Sequence, residues 1–156
     1  MKVFIIIGGI VMAGLGGLGL VGVMSPSFDY EAATAVERQA WLDEEAQKTL
    51  VETRNELDRN GTSRNLFDVQ SVRASDEEKL IEIVMEAKGA SRTIIPKDFR
   101  LQFLGKMCPD FQRSPLSRHG FRLNMKMVRS NGDLVMSETV SEVACERYYA
   151  FKKRTR

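Results

Sequence analysis

With one histidine, His119, and only two cysteines, Cys108 and Cys145, in 156 residues, the sequence has little material for a site. A metal centre needs more ligands than two cysteines and one distant histidine supply. A Ser-His-Asp or Cys-His arrangement would have to run through His119. That residue lies between Arg118 and Gly120 ahead of a strand and reads as a loop residue with no located acid or base beside it. Charge of one sign is also lacking: 23 basic and 21 acidic residues leave a net charge of +2. A dedicated nucleic-acid binder normally shows a strongly basic face, so no nucleic-acid partner is expected. Carboxylates are plentiful, but none forms a recognisable acid–base couple. The glycine-rich stretch lacks the strand-to-helix context and the Lys-Ser/Thr of a phosphate loop. No catalytic residue, metal or cofactor is expected, and enzyme activity is not.

What is present begins at the N-terminus. From Val3 to Met24 there is no charged or strongly polar side chain. About 20 such residues in a helix span the hydrocarbon layer of a bilayer. A buried helix of a soluble domain would show a polar stripe, and this segment has none. A cleavable secretory signal is the sharper competitor. It should have a shorter apolar region ending at small residues, whereas the end here reads Val21-Gly22-Val23-Met24-Ser25-Pro26. Residues 1–25 therefore read as an uncleaved transmembrane anchor. Lys2 precedes the span, while Asp29 and Glu31 follow it and the first downstream cation is Arg38. Positive charge stays on the cytoplasmic side, which implies a bacterial inner-membrane protein with a cytoplasmic N-terminus and a periplasmic domain. Within the span Gly9, Ala13 and Gly17 recur every fourth residue. Small residues at that spacing allow close helix packing, and they imply a contact in the bilayer with another protein or with a second copy.

Beyond Pro26, residues 26–61 read as one amphipathic helix, with Ala32 to Arg59 as its body and Ser27 or Asp29 as its cap. Its apolar side comprises Ala33, Val36, Ala40, Leu50 and Leu57, with Trp41 nearby. Residues 62–147 carry the pattern of an α+β exported domain. Strands are expected at 66–72 and 79–87, a helix over 94–107, and a second hairpin from Phe121 to Val143. In that hairpin Phe121, Leu123, Met125 and Met127 alternate with Arg122, Asn124 and Lys126, and Ser130-Asn131-Gly132-Asp133 supplies the turn. The expected order is strand-strand-helix-strand-strand in an antiparallel sheet. Residues 148–156, with Tyr148, Tyr149 and Phe151 beside Lys152, Lys153 and Arg154, read as a basic aromatic tail. Such a tail suits an anionic membrane surface or an acidic partner, or it is simply solvated.

Cys108 and Cys145, alone in an exported domain, are most simply a disulfide, with a metal site or a redox pair as the weaker readings. The stretch Cys108-Pro109-Asp110, then Gly120-Phe121-Arg122-Leu123, Asn131-Gly132-Asp133, Val140 and Cys145 is similar to a pattern in small bacterial envelope proteins with a C-terminal α+β domain. The resemblance covers roughly the last third of the chain and implies no active residues. The wider layout also resembles that of type IV pilins. It departs from them in having no basic leader ending in Gly before Phe and no Glu early in the apolar helix. Together these features point to a membrane-anchored accessory subunit of an envelope assembly, working by protein–protein interaction. A secreted or periplasmic binding protein with a cleaved signal is the alternative.

Overall fold

The computed structural model describes residues 28–59, 67–88 and 98–155. The apolar segment with Gly9, Ala13 and Gly17 lies outside the described residues, and among those residues no helix is long and apolar enough to cross a membrane.

Helix α1 spans Ala35–Arg59. A capping box sets its start: Glu37 N donates to Thr34 Oγ1 at 3.3 Å, and Thr34 N donates to Glu37 Oε2 at 2.8 Å. Asp29, expected as a cap, instead serves the turn before the helix, accepting from Ala32 N at 3.1 Å. The buried stripe is Leu42, Glu45, Ala46, Thr49 and Thr53, while Val36, on the apolar side expected from the sequence, is 79% exposed. An apolar count misses this face because threonines occupy it. Thr53 makes itself compatible with burial by donating its hydroxyl to Thr49 O at 2.7 Å.

Four strands follow: β1 (Phe67–Ser75), β2 (Leu80–Ala87), β3 (Arg122–Arg129) and β4 (Leu134–Val140). They form one sheet in the order β1-β2-β3-β4. The two outer pairs are antiparallel, but β2 and β3 run parallel. The sheet is therefore mixed, not wholly antiparallel. A helix joins β2 to β3 and returns the chain to the end where β2 began, so both strands leave in the same direction. Ile81 faces Leu123, Ile83 faces Met125 and Met85 faces Met127 across this central pair, and all six are buried. The alternate side chains, among them Glu82, Asn124 and Lys126, lie on the open face, where Lys126 Nζ pairs with Glu82 at 2.5 Å. The β3–β4 turn falls where the sequence places it: Gly132 takes φ +87° and Asp133 N donates to Asn131 Oδ1 at 3.0 Å.

Helix α2 runs Phe99–Arg113, past the expected end at 107 and through Pro109, and presents Phe99, Phe103, Leu104, Met107 and Phe111 to the core. A short α3 (Pro115–Arg118) leads to β3. Helix α4, Glu142–Arg154, replaces the expected strand end and free tail. Ser141 starts it by accepting from Ala144 N at 3.2 Å, and cations fill its last turn, where the helix dipole favours them. Cys108 and Cys145 are joined, with Cα atoms 5.5 Å apart. One turn further along, a Cβ on Gly105 would stand 2.6 Å from Tyr148 Oη. The two contacts set α4 antiparallel to α2, so the Lys152–Arg154 end of α4 lies opposite the end of the sheet where β4 finishes.

Candidate functional site

The densest meeting of chemically active side chains lies at the end of the sheet formed by the β1–β2 turn and the start of β3. Residues 28–30, the first described, run into it. Phe28 stacks flat on Trp41 of α1, with centroids 4.7 Å apart and planes 5° from parallel. Tyr30, 8% exposed, sits among the rings of Trp41, His119 and Phe121, with His119 nearest at 4.2 Å. His119 is thus in a turn, as read, but its ring is packed on a tyrosine from 89 residues earlier.

The polar end of Tyr30 donates to Asp76 Oδ1. The same oxygen receives Lys79 Nζ at 2.5 Å, and Oδ2 receives Arg38 Nε at 2.8 Å. Lys79 Nζ also reaches Tyr30 Oη at 2.6 Å and lies 5.0 Å from the centre of that ring, with the Arg38 guanidinium at 5.3 Å. Gln39 completes the frame: its Oε1 accepts from Asp76 N and its Nε2 donates to Ala74 O, both at 2.9 Å. Lys79 takes φ +48°, a left-handed conformation that costs a non-glycine residue about 1 kcal/mol. The ion pair it gains with Asp76 offsets that cost.

Burial alone would push the Asp76 carboxyl up, but the bonds from Lys79, Tyr30 and Arg38 outweigh it and hold the group well below the usual aspartate range. Tyr30 is raised, first by burial and then by its bond to the Asp76 carboxylate. Burial would lower Lys79, yet its bonds to Asp76 and Tyr30 raise it overall. A carboxylate with both oxygens engaged is a poor base, and a lysine held protonated is a poor nucleophile. The cluster is built to fasten. It pins residues 28–38 to the sheet through one carboxylate.

Beside it a small cleft, with room for about one water molecule, opens between α1 and the sheet, lined by Trp41, Leu42, Glu45, Ala46, Thr49, Val72, Ala74, Ile81 and Leu116. Among the described residues no group of three or more His, Cys, Asp or Glu could hold a metal ion.

The sequence reading missed Tyr30, Arg38, Asp76 and Lys79. Asp76 stands in a polar turn among other acids, and Tyr30 is 46 residues away, so no local spacing links them. The one available signal was a pair of aromatics, Phe28 and Tyr30, directly beyond the apolar segment. Of the sequence-read positions, the structure joins Cys108 to Cys145, while Gly9, Ala13 and Gly17 lie outside the described residues.

No family model and no curated protein matches this chain. Two solved structures are similar to it. One is the pilotin EpsS from the Vibrio vulnificus type 2 secretion system, at 19% identity over 66% of this chain and 96% of that one, with a TM-score of 0.38. The other is the type II secretion system pilotin AspS from Vibrio cholerae, at 14% identity over 66% of this chain and 97% of that one, also with a TM-score of 0.38. A likeness at that level of superposition carries nothing about what this chain binds.

Proposed function

We propose that this chain is a single-pass accessory subunit of a bacterial envelope assembly, acting through protein–protein contacts of its α+β domain. In this reading residues 1–25 anchor it in the inner membrane, with the N-terminus cytoplasmic and the domain periplasmic. The observation that carries the reading is the fastening of residues 28–38. Phe28, Tyr30 and Arg38, a few positions beyond the apolar segment, are held by stacked aromatics and by Asp76. Such a clamp fixes the place on the domain from which the chain leads back toward its N-terminus, which suits presentation of a surface to a fixed partner. The joined cysteines suit an oxidising compartment. The small-residue face of Gly9, Ala13 and Gly17 suits a second helix in the bilayer, from another protein or another copy.

The basic end of α4 lies toward the opposite end of the sheet from Tyr30, since α4 runs antiparallel to α2. In this reading it points away from the anchoring membrane, toward partners. The mass of the mature chain isolated from native membranes tests the anchor. A full-length mass is expected. Loss of about 25 residues would sink the anchor and fit instead a periplasmic binding protein released from its signal.

A further inference from the structure

The sheet has two edge strands, β1 and β4, and the fold treats them unequally. The edge of β1 is occupied by α1. Arg54 donates to Val69 O from Nε and Nη2 at 3.1 and 2.8 Å, and Gln39 donates to Ala74 O at 2.9 Å. Covering an edge with a helix is one way a sheet blunts it; a bulge does not tell the two edges apart, since β1 has one at Gln70 and β4 one at Val135. For β4, among the described residues no hydrogen bond reaches its main chain on the side away from β3. Its sequence, Leu-Val-Met-Ser-Glu-Thr-Val, contains no proline, lysine or glycine, and its one charge is Glu138. Leu134 is 61% exposed at one end of it.

We propose that the open edge of β4 takes up an extended segment of a partner protein by main-chain pairing, with an apolar residue of that segment against Met136 and a basic residue against Glu138. This rests on the reading of the domain as a protein-binding module. The choice of partner follows from the side chains along the edge. Met136 and Glu138 face Met127 and Met125 of β3, so both lie on the helix-covered side of the sheet, and both are half-buried. The one ion-pair partner of Glu138 among the described residues is Arg100 at 3.4 Å, itself 68% exposed. Burial pushes the Glu138 carboxyl up, and Arg100 only partly opposes it. An incoming strand would desolvate this carboxylate further, and a cation opposite it would offset that cost.

A second copy fits this edge badly. Antiparallel self-pairing centred on Ser137 sets each Glu138 against Met136. Centring on Glu138 sets two carboxylates face to face, and centring on Met136 sets Glu138 against the bulge at Leu134–Val135, which carries no cation. Each choice leaves a half-buried carboxylate without a cation across from it, so a different chain with a basic residue at that position is the better occupant.

Hydrogen exchange on the full-length chain in detergent micelles tests this with a defined probe. The probe is an end-capped peptide of seven residues in which threonine alternates with apolar residues and one lysine is set to face Glu138. Slowed exchange in β4 with β1 unchanged is expected. The same peptide with glutamate for lysine should bind about tenfold more weakly, the swing expected when an opposite-charge cross-strand pair becomes a like-charge one. Glu138→Lys should reverse the preference. Equal binding of the two peptides, or protection elsewhere than β4, overturns the proposal. Protection of β4 that rises with protein concentration and no peptide makes a second copy the occupant and overturns it too. A photo-crosslinking residue at Ser137, compared with one on the solvent side of α1 in native membranes, separates the two readings. Capture from α1 alone removes the edge and leaves the module standing, whereas capture from neither position removes both.

Discussion

Replacing Asp76 with asparagine keeps the shape of the side chain and removes the charge that Tyr30, Arg38 and Lys79 converge on. The wild-type carboxylate side chain is 10% exposed, so its bonds form largely out of water. Asparagine can still accept, but it leaves Lys79 and Arg38 within 5.0 and 5.3 Å of the Tyr30 ring centre with no counter-charge between them. Removing one member of a fully buried pair costs about 3–5 kcal/mol. Here the Arg38 and Lys79 side chains keep 25% and 37% of their exposure, so water takes back part of the loss. A destabilisation of about 2 kcal/mol is the scaled expectation. The assay is urea unfolding of the full-length chain in micelles, followed by fluorescence of Trp41, the only tryptophan and a direct neighbour of Phe28. The sign of the pH dependence is a second check. The folded-state carboxyl is held below its ordinary value, so its contribution is present above about pH 4 and is lost as pH falls toward the folded value. Wild type should therefore lose stability on acidification below about pH 4, and Asp76→Asn should lose less. A change under about 0.5 kcal/mol, within ordinary surface effects, together with unaltered Trp41 emission, would refute the idea that this carboxylate fastens the N-terminal segment.

Cys108→Ser should cost about 4 kcal/mol in the chain-entropy picture for a loop with separation 37, read as a fall in melting temperature that reductant reproduces in wild type. Gly105→Ala should destabilise by about 1–2 kcal/mol, because the new Cβ would meet Tyr148 Oη at 2.6 Å. Tyr148→Phe should relieve most of that cost in the double variant, and additive costs in the unfolding curves would show that the hydroxyl is not what the methyl strikes. If the small-residue face carries a contact in the bilayer, Gly17→Ile should weaken association of the isolated span in a membrane two-hybrid assay while Leu18→Ile does little.

The α+β class was legible because it rests on local signals. The alternation from Phe121 to Met127 and the Asn131-Gly132 turn need no information beyond their own few residues. The parallel pairing of β2 and β3 was not legible, since the same strand patterns serve either direction and only the returning helix decides it. The α4 helix was hidden for another reason. Of its 13 residues nine are charged or aromatic and one, Cys145, is buried, so its helical face is too slight to register as a period. The face of α1 was misread because threonine and glutamate stand where a search for apolar residues expects leucine. The Tyr30–Asp76 cluster lay beyond the sequence altogether. Its members come from three separate stretches that only the sheet brings together.

The placement of the disulfide bears on how the chain reaches its final state. Cys108 is synthesised before β3 and β4, and the only other thiol follows both strands. As the chain emerges in order, β1 and β2 can pair at once, but β2 must wait for its parallel neighbour until α2 and α3 have passed. Pairing across such a sequence gap is slow compared with a hairpin. During that wait Cys108 has no intramolecular thiol it could join wrongly, since two cysteines allow one bond and no shuffled isomer. Oxidation therefore closes the second half of the domain after its strands are available, without any need for rearrangement of mispaired bonds.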